Sequence, residues 1–384
     1  MTVPFVDLAA LVRSGKAEYL AAFERVLDSG GFVGGPAVTT FEAAFASYCG
    51  APHAVAVRTG TDALVLALRA LGVGPGDEVI TAANSFFATA EAISHAGATP
   101  VLADADDAAL LLDPADAARR VTRRTRCIIP VHLFGQIADM APIRALAAAN
   151  RLHVLEDAAQ AHGATRTGPG GERWRAGSIA AIAAFSFYPT KNLGALGDAG
   201  LVTTDDPALD KRLRSLRVHG SEVKYYHKEI GYNMRLDAIH AAMLRVKLPH
   251  VPNWLTSRQE AARRYDKLIE SANLNGFIRR PIAKPDRRHT YNQYVVRVPA
   301  PHRDALVKHL KTSGIGIEVY YPLSLHEQEC FKFLGHRTGD FPVGEAAAAG
   351  VLALPMFPEI TAAQQERVIE VCVAYLSQSL RKAA

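Results

Sequence analysis

Cysteine is scarce in this chain of 384 residues: four occur, Cys49, Cys127, Cys330 and Cys372. No two form a C-x-x-C pair, which argues against a disulfide framework or a structural zinc site and for reduced, mostly buried thiols. Long apolar runs are missing too. No stretch approaches the roughly 20 residues that a membrane-spanning helix requires. The amino terminus, MTVPFVDLAALVRSGK, lacks a basic head followed by an apolar core. No secretory signal is therefore expected, and the expected compartment is the cytoplasm. Blocks of like charge and basic–aromatic stripes are absent as well. The net charge is +5 and the pI about 9.0. That mild excess suits an anionic small substrate better than a nucleic acid or a membrane surface.

Hydrophobic residues, by contrast, make up 49% of the chain, and the mean hydropathy is +0.04. That composition excludes wholesale disorder. At roughly 100–200 residues per domain, the length predicts two domains. Seven short apolar runs read as strands: Ala54–Val57, Glu78–Thr81, Thr99–Ala103, Cys127–Val131, His153–Glu156, Ile182–Phe187 and Gly200–Thr203. Most are continuous rather than alternating, as in sheets covered on both faces. Helical patterns at Asp62–Leu71, Ala88–His95, Pro114–Arg120 and Met140–Asn150 separate the early strands. This alternation predicts an α/β fold with a mostly parallel seven-stranded sheet. Only Tyr188–Ala199 joins the last two strands. It is too short and too rich in Gly, Pro and Asn for a crossover, so this pair is expected to be antiparallel and the sheet mixed.

The character changes near Leu248, where Pro249 and Pro252 interrupt a helical pattern that begins around Leu236. Beyond it lie a charged helix at Ser257–Ile269, strands at Tyr294–Val298 and Ile317–Val319, and helices at His302–Ser313 and Ala362–Leu380. Residues 1–248 are thus expected to form a large α/β domain and residues 249–384 a smaller α+β domain.

Three strand ends carry groups with chemical potential. The first reads Arg58-Thr59-Gly60-Thr61-Asp62. A strand ends there and a helix begins, and a helix N-terminus with free N–H groups attracts phosphate. Thr61 can cap that helix or donate to a phosphate oxygen. The glycines of Gly72-Val73-Gly74-Pro75-Gly76 precede a strand, so they read as a turn and not as a dinucleotide fingerprint. The second strand end, HVLEDAAQAHG, delivers Glu156, Asp157, Gln160 and His162. A carboxylate there can hold positive charge on a ligand nitrogen. Glu156, Asp157 and His162 could also bind a metal, although they match no recognised metal spacing. The third, FSFYPTKNLG, places Lys191 in a glycine-containing loop behind a buried strand. A lysine drawn toward a pocket can lose its proton and form a Schiff base. A lysine, an acid for a pyridinium nitrogen and phosphate donors on successive strand ends together make a pyridoxal phosphate kit.

The chain resembles the DegT/DnrJ/EryC1/StrS family of sugar aminotransferases, a branch of the fold-type-I pyridoxal phosphate enzymes. The blocks that carry the resemblance run from about Pro4 to Tyr375. They include GTDALVLAL, GPGDEVITAANSFFATAEAI, PVHLFGQIADM, LEDAAQAHGA, FSFYPTKNLGALGDAGLVTT, GYNMRLDAIHAAML and GIGIEVYYPLSLHEQ. By resemblance, Lys191 is the Schiff-base lysine and general acid–base. Asp157 pairs with the pyridinium nitrogen, Gln160 bonds the phenolic oxygen and Phe86 stacks on the ring. Gly60, Thr61 and Ser186 hold the phosphate, with Asn233 of a neighbouring subunit completing it. That implies a homodimer with active sites at the interface. Arg58 departs from the asparagine often found there, and the loop Gly168–Arg175 is unusually rich in glycine and arginine, reading as a hairpin tip.

The resemblance further implies transamination from L-glutamate to a UDP- or dTDP-linked keto sugar, with 2-oxoglutarate released. Lys224 and Arg258 are candidates to clamp the diphosphate. Val319-Tyr320-Tyr321-Pro322 followed by Leu325-His326 resembles the branch acting on 3-keto sugars. Tyr188, Tyr320, Tyr321 and His326 are then expected at the hexose. A 4-keto specificity is the alternative. A pyridoxamine-dependent dehydratase would carry histidine in place of Lys191. A non-catalytic regulator would carry an additional DNA-binding module.

Overall fold

The computed structural model describes residues 1–383, with side chains described through Ser377. Two helices come first, α1 (Leu8–Ser29) and α2 (Gly35–Cys49). The expected alternation follows: β1 (His53–Val57), α3 (Gly60–Ala70), β2 (Glu78–Ala82), α4 (Phe87–His95), β3 (Thr99–Ala103), α5 (Pro114–Arg119), β4 (Thr125–Ile129), α6 (Met140–Asn150) and β5 (His153–Asp157). A hairpin, β6 (Thr165–Thr167) and β7 (Arg173–Arg175), precedes β8 (Ile182–Ser186) and β9 (Gly200–Thr204). The glycine- and arginine-rich loop is the tip of that hairpin. Then come α7 (Pro207–Arg217), the hairpin β10 (Ser221–Val223) and β11 (Tyr226–His227), and α8 (Ala238–Lys247).

All seven expected strands join one sheet, in the order β1-β9-β8-β5-β4-β2-β3. β9 runs antiparallel to both its neighbours, and the remaining pairs are parallel. Alternate residues serve opposite faces. Ala54 and Ala56 pack in a layer with Phe41, Phe45 and Phe185, whereas Val55 and Val57 pack with Leu66, Leu68 and Ile182. Burial on both faces is why the strands read as continuous apolar runs. The β1 edge is closed by charge. Glu42, only 4% exposed, accepts from the Ala56 N–H (2.8 Å), Arg214 (2.8 Å) and Arg217 (2.6 Å). The two arginines also donate to the carbonyls of Ala54 and Ala56. A buried carboxylate persists here because both oxygens are bonded.

The remaining elements are α9 (Val251–Ser271), β12 (Arg287–Arg288), β13 (Tyr294–Arg297), α10 (Ala300–Thr312), α11 (Pro342–Gly350), β14 (Val351–Leu354) and α12 (Ala362–Ala383). They surround a second core containing Tyr265, Tyr294, Leu306, Leu354 and Cys372. Val3 belongs to this core, and its N–H donates to Gly314 O (2.9 Å). Two expectations differ from the structure. Pro252 lies in the first turn of α9, where a missing N–H costs nothing, so that helix starts well before Ser257. Residues 317–319 form only a bridge from Glu318 to Ala353. The partner of β13 is β14. Its VLAL follows the alanine-rich α11 directly and reads as more helix.

Candidate active site

The sheet topology gathers five loops at one end. Parallel strands bring the carboxyl ends of β1, β2, β4, β5 and β8 together, and the reversed β9 contributes its amino end. Between them and the 320–321 segment lies a cavity of about 380 Å³. Its lining includes Thr59–Thr61 after β1, Phe86 after β2, Asp157 and Gln160 after β5, and Ser186, Tyr188 and Lys191 after β8. Asp198, Gln293, Tyr320 and Tyr321 complete it. Ten of the fourteen expected site residues are thus in one cavity.

Lys191 is half-buried in this lining. Its surroundings lower its pKa to about 8 through burial, against the opposing charge of Asp157. Asp157 is 5% exposed. Burial raises its pKa; hydrogen bonds from Thr89 and Ala159 and the charge of Lys191 oppose the rise. The Thr89 hydroxyl donates to Asp157 Oδ2 (2.8 Å) and the Ala159 N–H to Oδ1 (3.2 Å). Thr89 sits in the first turn of α4 and nothing in its sequence context marked it.

Where α3 begins at the cavity, Thr59 and not Thr61 caps the helix: its hydroxyl accepts from the Asp62 N–H (2.9 Å). Thr61 is left to line the cavity. Gly60 approaches Ser186 so closely that a Cβ there would lie 2.5 Å from the serine Cβ. Arg58 turns to Asp62 and forms an ion pair on the first turn of the helix. On the opposite side, Gln160 Oε1 accepts from the Phe134 N–H (2.6 Å) and its Nε2 donates to the Tyr321 hydroxyl (3.1 Å). Phe134 holds a left-handed φ of 61°, an unfavourable conformation for a bulky residue that these contacts maintain. The Phe86 ring is 51% exposed, its centroid 5.6 Å from that of Tyr321.

Four expected residues lie elsewhere. Arg258, expected at a diphosphate, is instead 4% exposed and donates to the carbonyls of Tyr291 (3.1 Å) and Met356 (3.1 Å). It is a bracket between chain segments, since a guanidinium without carbonyl partners could not be buried there. His326, expected at the hexose, is packed against Phe341 and lies 3.1 Å from Glu345. Lys224 stands exposed on the β10–β11 hairpin, its ammonium 5.0 Å from the centre of the Tyr225 ring. Asn233 is exposed and outside the cavity of its own chain. The metal reading meets a different arrangement. Glu156 is fully buried and accepts from the N–H groups of Gly177 (3.1 Å), Ile179 (2.8 Å) and Ala180 (2.8 Å). It also lies 2.9 Å from His132 Nε2. His162 is enclosed by Phe45, Phe185 and Phe187.

The sequence model of the DegT/DnrJ/EryC1/StrS aminotransferase family matches residues 13–373. The chain belongs to this family. The chain is similar to a Streptomyces venezuelae dTDP-3-amino-3,4,6-trideoxy-alpha-D-glucose transaminase, at 44% identity over 368 residues, 96% of this chain and 94% of that one. A Geobacillus stearothermophilus relative named pleiotropic regulatory protein is 45% identical over 370 residues, 96% of this chain and 97% of its own length. The X-ray structure of S. venezuelae DesV in complex with a ketimine intermediate matches with a TM-score of 0.92 at 42% identity, covering 97% of this chain and 98% of that one. The fold is that of the fold-type-I aminotransferases.

Proposed function

We propose that this aminotransferase uses pyridoxal phosphate to move an amino group from L-glutamate to the 3-keto carbon of a UDP- or dTDP-linked hexose, giving a 3-amino sugar and 2-oxoglutarate. The observation that carries the reading is one cavity holding a lysine with a lowered pKa, a buried carboxylate and a helix N-terminus. The 3-position is supported by the name of the Streptomyces relative and by the Tyr320–Tyr321 segment lining the cavity.

The residues present fit the cofactor. The N-terminus of α3, with Gly60, Thr61 and Ser186, offers N–H and hydroxyl groups to a phosphate. Pyridoxal phosphate, when bound, supplies a carbonyl that exchanges amines and a ring that delocalises negative charge. Lys191 holds the cofactor and afterwards moves a proton at the substrate carbon, a task its lowered pKa favours. Asp157 keeps a proton at the ring nitrogen, and Thr89 and the Ala159 N–H hold its carboxylate. Gln160 would bond the phenolic oxygen and Phe86 would stack on the ring of the bound group. Tyr188, Tyr320 and Tyr321 surround the hexose.

The assembly we infer is a homodimer. Asn233 and Lys224 lie outside their own cavity, and the β10–β11 hairpin displays Tyr225 (80% exposed) and Tyr226 (74% exposed), with Ile230 (94% exposed) just beyond it. A second subunit would cover these side chains and receive Asn233 at its phosphate. Within each chain we divide the molecule at residue 248 into a large cofactor-binding unit and a smaller unit. We place the enzyme in the cytoplasm; among the described residues no helix is long and apolar enough to cross a membrane.

The test is spectroscopic. Protein loaded with pyridoxal phosphate is mixed separately with 3-amino and 4-amino nucleotide sugars, and the cofactor absorption is followed. Conversion by the 3-amino sugars alone is expected. Conversion by 4-amino sugars alone would move the specificity to the 4-position. No conversion by any amino sugar or by glutamate would favour a regulatory role, the one the Geobacillus relative's name suggests.

A further inference from the structure

Gln293 enters neither the family resemblance nor the roles assigned above. It directly precedes β13, whose first residue, Tyr294, is fully buried in the second core. Side chains alternate along extended chain, so Gln293 projects the other way. It lines the cavity, with 9% of its surface exposed. Its side-chain oxygen is buried and has no hydrogen-bond partner.

The backbone around it is fixed on every side. The Thr290 N–H donates to Gly135 O (2.9 Å) and the Asn292 N–H to Phe134 O (2.9 Å). Asn292 Oδ1 accepts from the N–H of Asn192, the residue after Lys191 (3.2 Å). Arg258 brackets the Tyr291 carbonyl. Asn192 Oδ1 and Arg258 Nε are also buried there without a partner, but neither residue offers its free atom from the start of a strand into the cavity, and Gln293 lines it. A buried acceptor without a donor carries a desolvation cost that a ligand can remove. Placement on rigid backbone lets it do so with little ordering entropy.

The chemistry of the ligand follows from the atom that is orphaned. No hydrogen bond holds either end of the amide, so the fitting ligand group both donates and accepts, whereas phosphate and carboxylate oxygens only accept. A sugar hydroxyl donates, and it can also accept from the Gln293 Nε2. Resting on the proposed function, we propose that Gln293 is a specificity-determining residue that reads one hydroxyl of the keto hexose. Sites built to pair a substrate hydroxyl discriminate strongly against analogues that lack it.

The test compares 3-amino nucleotide sugars with their 2-, 4- and 6-deoxy analogues in the half-reaction, using wild type, Gln293→Met and Gln293→Glu. Wild type is expected to favour the hydroxylated sugar over one deoxy analogue. Gln293→Met is expected to lose about tenfold in kcat/KM for the hydroxylated sugar, through KM, and little for that analogue. Its L-glutamate half-reaction and cofactor content are expected to match wild type, which separates sugar reading from misfolding. Gln293→Glu retains an acceptor of the same shape and is expected to keep the preference. Equal losses on sugar and analogue, a matching loss with glutamate, or no loss would each overturn the proposal. Should wild type convert 4-amino sugars only, the 3-position reading fails and the same comparison on 4-amino pairs decides the role of Gln293. Should it convert no amino sugar, both fall.

Discussion

Two lysines in this molecule have the same lowered pKa and opposite surroundings. Lys191 and Lys247 are both brought to about 8, chiefly by burial. Lys247, 2% exposed, donates to the Gly194 carbonyl (2.7 Å), with its ammonium 5.4 Å from the centre of the Tyr19 ring. Lys191 instead opens on a cavity and feels a carboxylate. Gly194 lies in the same loop as Lys191, so one lysine braces the segment that carries the other. In both lysines the depressed pKa reports desolvation; access and partners separate a reactive amine from a brace.

The sharpest way to test this contrast is to remove each amine. Lys191→Ala is expected to cut transamination on the order of a thousandfold or more while the fold and the proposed dimer persist, read by turnover and sedimentation. Turnover at the wild-type rate would sink the assignment. On the role proposed for Asp157 at the cofactor ring, Asp157→Asn is expected to cost on the order of a hundredfold. Thr89→Val removes one hydroxyl from that carboxylate. Its cost should be about tenfold, with restoration by Thr89→Ser. Lys247→Met is expected to cost less than about tenfold, because an apolar chain of similar volume replaces a buried charge. If Lys247→Met were as inactive as Lys191→Ala, the contrast would collapse.

A pH titration sharpens it further. Both lysines have folded pKa values of about 8, below the unfolded value of 10.5. Between those values the unfolded lysines bind protons that the folded ones do not, so their contribution to stability rises with pH in that window. It rises by about 1.4 kcal/mol per pH unit for each lysine. Below pH 8 this contribution is flat. Above pH 9 the thiols of Cys49, Cys127 and Cys372, kept protonated by burial, pull stability the other way, so urea unfolding of the cofactor-free protein should show the rise between pH 8 and 9, and Lys247→Met should remove about half of it. A flat profile between pH 8 and 9 in the wild type would mean that neither amine is desolvated.

The sequence marks the sheet more clearly than its surroundings. All seven strands are apolar on both faces, and the short link before β9 announces its reversal. Helices α1 and α2 and strand β14 leave no comparable trace. β14 hides because VLAL after an alanine run satisfies a helical pattern equally well. Lys191, Asp157 and Gln160 stand out in the sequence because reactive residue types fall at strand ends, and the structure brings all three into one cavity. Thr89 and Gln293 are not, since each becomes informative only when distant segments meet. Arg258 and His326 show the converse: suitable residue types near matching motifs can be consumed by packing.

The reversed strand β9 has an evolutionary consequence. β8 and β9 are hydrogen-bonded neighbours, and the loop between them is tied by Phe187 N–H to Ala199 O (2.7 Å) and Ala195 N–H to Phe187 O (2.7 Å). Lys191 is thereby moored to the sheet at both ends of its loop. Tyr320, Tyr321 and Gln293 reach the same cavity from another part of the chain. Change can accumulate in that wall while the mooring stays untouched, so a new sugar need not require a new reaction.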